Sequence, residues 1–105
     1  MVPTNLYGPY DNYSADKSHV VAALIERSYS CEKSLDVWGS GSPLRQFCYV
    51  VDLCKLILWV LLRDKKSSTI ALVPTQENSI KELAECIAAE FGIDQINFDT
   101  SKADG

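Results

Sequence analysis

His19, the single histidine of the chain, is the side chain best suited to transfer a proton near neutral pH. An unperturbed imidazole titrates at about pH 6.5, so it can serve as a general acid or base. Arg27 follows about two helical turns later and could share a face with it. A lone histidine is more often structural or exposed, however, and a helix arginine is often only a solvated cation. His19 and Arg27 alone therefore do not indicate one particular function.

A second candidate constellation is the run W-G-S-G-S-P-L-R, from Trp38 to Arg45. The indole offers an aromatic surface, and a guanidinium can bind two oxygens of a phosphate at once. The glycines between them predict a tight turn that would place both on one small loop. A core tryptophan followed by a surface arginine fits the same spacing, and both interpretations stay open.

Some motifs of dinucleotide enzymes are missing or misplaced. The chain contains no G-x-G-x-x-G and no G-x-x-x-x-G-K, so the pyrophosphate of a bound dinucleotide would be held by residues outside this sequence. Tyr13 to Lys17 and Tyr29 to Lys33 both spell Y-x-x-x-K, a spacing that lets a lysine lower the pKa of the tyrosine on a helix. The first lies in a predicted loop and the second crosses a predicted helix end, so both are interpreted as coincidences.

Composition narrows the class of protein. The 105 residues are 47% hydrophobic and 23% charged, as in a globular domain or part of one. A net charge of −4 argues against a general nucleic-acid binder, which needs clustered Lys and Arg. The longest apolar run, Val50 to Leu62, is interrupted by charges and falls short of the roughly 20 residues of a membrane span. We interpret it as a buried helix and expect no membrane partner.

The four cysteines indicate free thiols rather than a metal site or a disulfide framework. None of them forms a C-x-x-C pair, and His19 lies far from all of them, so we expect no structural metal. Cys48, Cys54 and Cys86 stand among apolar residues and are predicted to be small core side chains. Free thiols and the lack of a signal-peptide pattern at the N-terminus suit a protein of the reducing cytosol.

Hydrophobic spacing and turn signals predict alternating strands and helices. Residues 2–14 have the composition of an ordered loop, or of a strand end followed by a loop. Residues 30–46 are predicted to be a loop with a short apolar piece. Strands are predicted over residues 46–51, 69–73 and 96–98. Helices are predicted over residues 18–29 with Ser18 as N-cap, over 53–63 with Asp52 as N-cap, and from the capping box Ser79–Glu82 to Gly92.

The predicted helices each carry an apolar face. The buried positions expected from spacing are Val21, Leu24, Ile25 and Ser28, then Leu53, Leu56, Ile57, Val60 and Leu61, and finally Leu83, Ile87 and Phe91. Strand and helix alternation argues for an α/β fold. Because the predicted strands are few and short for a stable sheet, we expect one partial domain over residues 1–105, belonging to a larger fold.

Several runs, in order along the chain, resemble the GDP-L-fucose synthases, a family of extended short-chain dehydrogenases. They are P-T-N-L-Y-G-P at 3–9, S-H-V at 18–20, W-G-S-G at 38–41, L-R-Q-F at 44–47 and F-D-T-S-K at 98–102. Departures fall at Ala22, where the family tends to have Pro, and at Leu72–Thr75. The resemblance implies the C-terminal part of a Rossmann-like α/β fold, with the N-terminal Rossmann half outside this chain and most of the sugar-nucleotide-binding region within it.

The resemblance also implies an activity for a longer parent protein. That parent would be a cytoplasmic homodimer that uses NADPH to epimerise and reduce GDP-4-keto-6-deoxy-D-mannose to GDP-L-fucose. This chain alone is expected to be inactive. Two alternatives stay open: a non-catalytic domain that binds sugar nucleotides, and another epimerase or dehydratase of nucleoside-diphosphate sugars with the same fold.

Site residues follow from the same resemblance, position by position. The resemblance implies that the nicotinamide side of NADP is lined by Pro3, Thr4, Asn5 and Leu6. His19, beside that cofactor, would be the acid of the epimerisation, with a cysteine partner outside this chain. Binding of the GDP portion is implied for Arg27, Trp38 and Arg45, and contact with the substrate for Asp104.

Overall fold

A computed structural model describes residues 2–31, 33–63, 71–72 and 74–104. Their elements, in chain order, are β1 (Val2–Pro3), β2 (Asn5–Tyr7), α1 (Val20–Ser30), β3 (Ser34–Trp38), β4 (Leu44–Arg45), β5 (Phe47–Tyr49), α2 (Val50–Arg63), β6 (Ala71–Leu72), β7 (Asn78–Ser79), α3 (Ile80–Phe91) and β8 (Gln95–Asp99). The fold is α/β, as predicted. It divides into two compact units, the first formed by Met1–Tyr10 with Gln46–Glu77 and the second by Asp11–Arg45 with Asn78–Gly105.

Parallel strand pairs organise the first unit. β1 pairs with β6, and β2 pairs with β5 in a register that sets Asn5 opposite Phe47. The side chain of Asn5 donates a hydrogen bond to the Gln46 carbonyl over 3.0 Å, and the rings of Tyr7 and Tyr49 lie 5.5 Å apart. The strand predicted over 46–51 is thus confirmed at its centre. Of the strand predicted over 69–73, β6 is observed, and residues 69, 70 and 73 lie outside the described ones.

Helix α2 differs from the buried helix that the sequence predicts. Among its described side chains only Leu53 and Val60 are buried, whereas Leu58 is 61% and Leu62 77% exposed. The two- and three-residue strands of its unit are too short to cover more than one stripe of a helix this long. The expected burial of the helix as a whole is therefore wrong, including that of two further leucines, Leu56 and Leu61.

The start of α2 also differs from the prediction. The helix begins at Val50, directly after β5, so Asp52 stands in its first turn rather than at its N-cap. An acidic side chain there still interacts favourably with the helix dipole. Its ion pair with Lys55, at 3.7 Å between exposed side chains, adds little.

The second unit is built on the parallel pairing of β3 with β8, in register from Ser34 opposite Gln95 to Trp38 opposite Asp99. The loop predicted over residues 30–46 is wrong for β3. Leu35 and Val37 alternate with outward side chains and are 0% and 1% exposed, which is the pattern of a half-buried strand. The strand predicted over 96–98 is confirmed within β8.

Helices α1 and α3 pack on each other, and both contact β3. The core of this unit consists of Val21, Ala22, Leu24, Leu35, Val37, Ile80, Ala84, Ile87 and Ala88. Strand β4 pairs with β7 in antiparallel orientation. The Pro43 carbonyl accepts a hydrogen bond from the Ile80 amide over 3.1 Å, so the chain ahead of β4 is tied to the start of α3.

The first turn of α1 corrects the predicted cap. Ser18 donates its backbone N–H to the Ser14 carbonyl over 3.1 Å and so closes the preceding turn. The first helical hydrogen bond runs from Ala23 to the carbonyl of His19, which is the N-cap and makes no capping contact with its side chain. The predicted buried face is confirmed at Val21, with Leu24 and Ser28 also buried and Ile25 partly exposed.

The predicted ends of α3 are confirmed. Ser79 accepts a hydrogen bond from the Glu82 amide over 3.1 Å, and the Glu82 carboxylate accepts one from the Ser79 amide over 2.8 Å. Gly92 ends the helix in the left-handed conformation, with φ 67°. Phe91, expected in the core, is 42% exposed because it is the last helical residue and the following turn leaves its ring uncovered.

The cysteines are free, and their predicted burial is largely wrong. Cys48 is half-buried, but Cys54 and Cys86 are exposed because they lie on the outward faces of α2 and α3. In the part of the chain that the structure describes, no helix is long and apolar enough to cross a membrane.

The capping box gives a direct test of the second unit. Ser79→Ala should lower the free energy of unfolding by about 1 kcal/mol, because the amide of Glu82 loses its acceptor. Glu82→Gln is the matched control and should stay near the parent value, since a glutamine oxygen can still accept from the Ser79 amide. Urea denaturation of the full chain measures the free energy of unfolding of both variants. Equal losses of stability in the two variants would contradict the reciprocal capping contacts.

Candidate functional site

Arg27 and Trp38 meet where α1 crosses β3. The guanidinium carbon of Arg27 lies 4.4 Å from the centre of the Trp38 ring, and one of its nitrogens donates to the Asp36 carbonyl over 3.3 Å. A guanidinium over an indole is held by the negative face of the ring and keeps its remaining N–H groups for a ligand. Trp38 is 54% exposed, so much of the indole is open to solvent.

This pair borders an open hollow of about 290 Å³. Its lining consists of Arg27, Ser30, Cys31, Ser34, Asp36 and Trp38. An aromatic surface beside a cation, two hydroxyls and one carboxylate suits a ligand that has a flat ring, an anionic group and hydrogen-bonding edges. The hollow lies along β3, from Ser34 to Trp38, beside the last turn of α1.

The loop after Trp38 has a shape that only glycine permits at two places. Gly39 has φ 85° and Gly41 has φ 76°, both in the left-handed region. The amide of Gly39 donates to the Asp99 carbonyl over 2.9 Å, and the carbonyl of Gly41 accepts from the Lys81 amide over 2.9 Å. The loop is therefore tied to β8 on one side and to the first turn of α3 on the other.

The chain after β8 returns to this loop. Asp104 accepts a hydrogen bond from the Ser40 amide over 2.6 Å, and both of its carboxylate oxygens lie 3.1 Å from the Ser40 hydroxyl. Lys102 brings its ammonium to 5.6 Å from the centre of the Trp38 ring. Trp38 thus has two cations near its ring, one from α1 and one from the segment after β8.

A carboxylate with a lowered pKa starts that segment. The hydroxyl of Ser101, followed by its backbone N–H over 3.1 Å, donates to Asp99 and holds the pKa of Asp99 below its ordinary value. The charge of Lys102 acts in the same direction with a smaller effect. This turn aims residues 102–104 back at the loop.

Comparison with known proteins now adds a family. Residues 1–72 match the sequence profile of the NAD dependent epimerase/dehydratase family, which is more than half of the chain. The chain belongs to this family.

The chain is similar to proteins that are described as GDP-L-fucose synthases. It is 42% identical to the GDP-L-fucose synthase of Dictyostelium discoideum and 37% identical to a probable GDP-L-fucose synthase of Drosophila melanogaster, each over the whole of this chain. It superimposes on a crystal structure of a GDP-L-fucose synthetase from Naegleria fowleri bound to NADP with a TM-score of 0.92, at 37% identity over 100% of this chain. The resemblance inferred from the motifs is thereby confirmed.

The family member spans only about a third of these proteins. Its alignment covers 35% of the Dictyostelium protein, 37% of the Drosophila protein and 35% of the Naegleria chain.

The structure brings together some of the predicted site residues. Arg27 and Trp38 share the hollow, and Asp104 reaches the adjoining loop. His19 and Arg45 are described but do not line this hollow. His19 is exposed at the N-cap of α1, and Arg45 lies half-buried in β4, with one guanidinium nitrogen donating to the Leu44 carbonyl over 2.8 Å.

The predicted cofactor residues belong to the first unit. Thr4 has its hydroxyl oxygen buried, and within the described residues that oxygen has no hydrogen-bond partner. Asn5 is exposed and Leu6 half-buried in β2. Pro3 lies in β1, and its side chain is outside the described ones.

The structure also adds two residues that the sequence analysis did not place in the site. Lys102 was part of a quoted motif, and its basic side chain just after a predicted strand end was the available signal. Ser40 belongs to the W-G-S-G motif at 38–41, but no local pattern indicates its contact with Asp104, because the two residues are 64 positions apart. Across residues 2–31, 33–63, 71–72 and 74–104, no three side chains of His, Cys, Asp or Glu gather as metal ligands would.

The turn at Asp99 has a testable titration. Ser101→Ala should raise the pKa of Asp99 toward its ordinary value of about 4, because the carboxylate loses its hydroxyl donor. Since the folded pKa is lowered, the stabilisation exists above the ordinary pKa and is lost as the pH falls through the lowered one. A carbon-13 NMR titration of the Asp99 carboxyl measures this, and Ser101→Thr, which keeps the hydroxyl, should leave the titration low. A titration unchanged in Ser101→Ala would contradict the assigned cause.

Proposed function

We propose that this chain is the C-terminal, sugar-nucleotide-binding part of a GDP-L-fucose synthase. The parent would use NADPH to epimerise and reduce GDP-4-keto-6-deoxy-D-mannose to GDP-L-fucose, as a homodimer in the cytosol. The observation that carries the proposal is the Arg27–Trp38 pair on its open hollow, in a chain similar along its whole length to proteins of that name.

The GDP portion of the substrate matches the chemistry of the hollow. The exposed indole of Trp38 suits a flat base or ribose, and the guanidinium of Arg27 suits a diphosphate, whose oxygens accept from both arms of the fork. Arg45 is the second guanidinium of the proposed site, and it would approach the diphosphate from β4.

His19 is proposed as the acid of the epimerisation. A hydrogen next to the sugar carbonyl is acidic enough for a side-chain base to remove, and inversion needs a proton returned from the opposite face. An exposed imidazole at the start of α1 can deliver that proton once a substrate covers it. The base on the other face would come from a part of the parent outside this chain, since none of the four cysteines stands at the place the resemblance requires.

The residues Pro3 to Leu6 are proposed to line the nicotinamide side of NADP. Their fit rests on the Thr4 hydroxyl, which is buried and unpartnered within the described residues and so leaves a hydrogen bond for a polar ligand group. When bound, NADPH supplies the hydride for the reduction. This chain lacks the glycine motif that holds a pyrophosphate, so alone it should not turn over substrate.

Binding of GDP to the full chain tests the hollow. Titration should be saturable, and Arg27→Ala should weaken it about tenfold, because a charge-assisted hydrogen bond to the diphosphate is lost. The matched control is Arg63→Ala, which removes the other arginine near an indole, 5.6 Å from the centre of Trp59 in α2. Isothermal titration calorimetry measures both. Equal affinities of the Arg27 and Arg63 variants, or no saturation, would refute the GDP site.

The role of His19 needs the complete enzyme. In a chimera carrying this chain in place of the matching part of the Dictyostelium relative, His19→Asn should reduce the rate of formation of the epimerised product by about 10²- to 10⁴-fold, because the acid on the opposite face is lost. The control is Lys17→Ala, on the exposed turn before α1, which should not change this rate. Proton NMR identifies the epimerised product. If His19→Asn formed that product as fast as the control, His19 would not be the acid, while the GDP site would still stand.

A further inference from the structure

We propose that Asp104 is a positioning residue, which holds the loop Gly39–Ser42 through Ser40 and so fixes Trp38 beside Arg27, rather than a contact to the substrate itself. The inference rests on the proposed function for its ligand, GDP. It concerns this chain's own contacts, however, and can be tested with no ligand present. It changes the role that the family resemblance implies for Asp104.

The Asp104 carboxylate is directed at the loop by Ser40. One oxygen accepts from the Ser40 amide over 2.6 Å, and both lie 3.1 Å from the Ser40 hydroxyl. Hydrogen bonds to an ionised carboxylate are short and stronger than neutral ones. These donors occupy about half of the roughly four acceptor positions of a carboxylate, and they fix its orientation toward the loop.

Gly39 lies in close contact with Asp104. A side-chain carbon at that position would lie 2.2 Å from a carboxylate oxygen of Asp104 and 3.1 Å from its Cα. Such a carbon would displace the carboxylate from its place beside Ser40 and press on the backbone of residue 104. The close approach of the loop to the chain after β8 therefore favours glycine at position 39, which also has a left-handed φ of 85°.

The same segment also reaches Trp38 independently of Asp104. Lys102 holds its ammonium 5.6 Å from the centre of the indole, and the Asp99 carbonyl accepts from the Gly39 amide next to Trp38. Three residues of the segment 99–104 thus approach three consecutive residues, 38 to 40. Releasing Asp104 would leave the loop held by the hydrogen bonds of Gly39 and Gly41, with Trp38 freer to leave Arg27.

The test uses Trp38 as its own reporter. In a Trp59→Phe background Trp38 is the only indole of the chain. Asp104→Ala should then raise the acrylamide quenching of Trp38 in the ligand-free protein and weaken GDP binding about tenfold. The matched control is Asp94→Ala, which removes the same charge from an exposed position ahead of β8 and should change neither.

A double-mutant cycle separates the two roles of Asp104. If Asp104 acts through Ser40, the variant carrying both Ser40→Ala and Asp104→Ala should bind GDP no more weakly than Asp104→Ala alone. Asp104→Asn, which keeps an oxygen for the Ser40 amide, should lie between the parent and Asp104→Ala. If circular dichroism showed that Asp104→Ala does not fold, Asp104→Asn and Ser40→Ala would carry the same comparison.

The outcomes distinguish this inference from the proposed function. Weaker GDP binding with unchanged quenching of Trp38, or additive losses in the cycle, would mean direct substrate contact and overturn the positioning role. Unchanged quenching together with unchanged binding would also overturn it. The Trp59→Phe protein could also fail to bind GDP while Asp104→Ala still raises the quenching of Trp38. That result would support the positioning role of Asp104 and refute GDP as the ligand.

Discussion

The parallel pairing of β3 with β8 is the constraint on which the second unit depends. Its five-residue register sets Trp38 directly opposite Asp99, so the two strands end side by side. The glycine loop and the segment after β8 must therefore leave from the same edge of the sheet. Without that coincidence, a carboxylate at position 104 could not reach an amide at position 40. Residues far apart in the sequence become neighbours through main-chain hydrogen bonds alone.

Helix α1 supplies the other half of the arrangement. Its buried residues belong to the same core as Leu35 and Val37, the two inward residues of β3, and the helix contacts that strand. From the last turn of the helix, Arg27 reaches the Asp36 carbonyl and the ring of Trp38. The alternation of β3 turns Asp36 and Trp38 outward, toward the guanidinium. A cation and an aromatic ring from two elements thus meet because apolar residues between them are buried.

How much of this the sequence predicts depends on whether the signal is local. The cap of α3 and its glycine end follow from four neighbouring residues and a φ preference, and both predictions are confirmed. Strand β3 was missed because turn formers on either side of Leu35 and Val37 outweighed a short alternation. The burial of α2 was wrong because spacing shows which side of a helix is apolar but not whether anything covers it. The family motifs placed Arg27 and Trp38 in one site, but spacing paired Trp38 with Arg45, and the contact of its ring with Arg27 was not predicted. The contact between Ser40 and Asp104 depends on strand register, which no local pattern encodes.

Helix α2 has a practical consequence for the isolated polypeptide. Its solvent-exposed leucines form a hydrophobic patch, and patches of this kind favour self-association of the polypeptide as its concentration rises. The net charge of −4 opposes that attraction through mutual repulsion, and salt screens the repulsion at short range. We therefore expect the isolated polypeptide to stay monomeric best in dilute solution at low ionic strength, because of a helix that does not line the hollow.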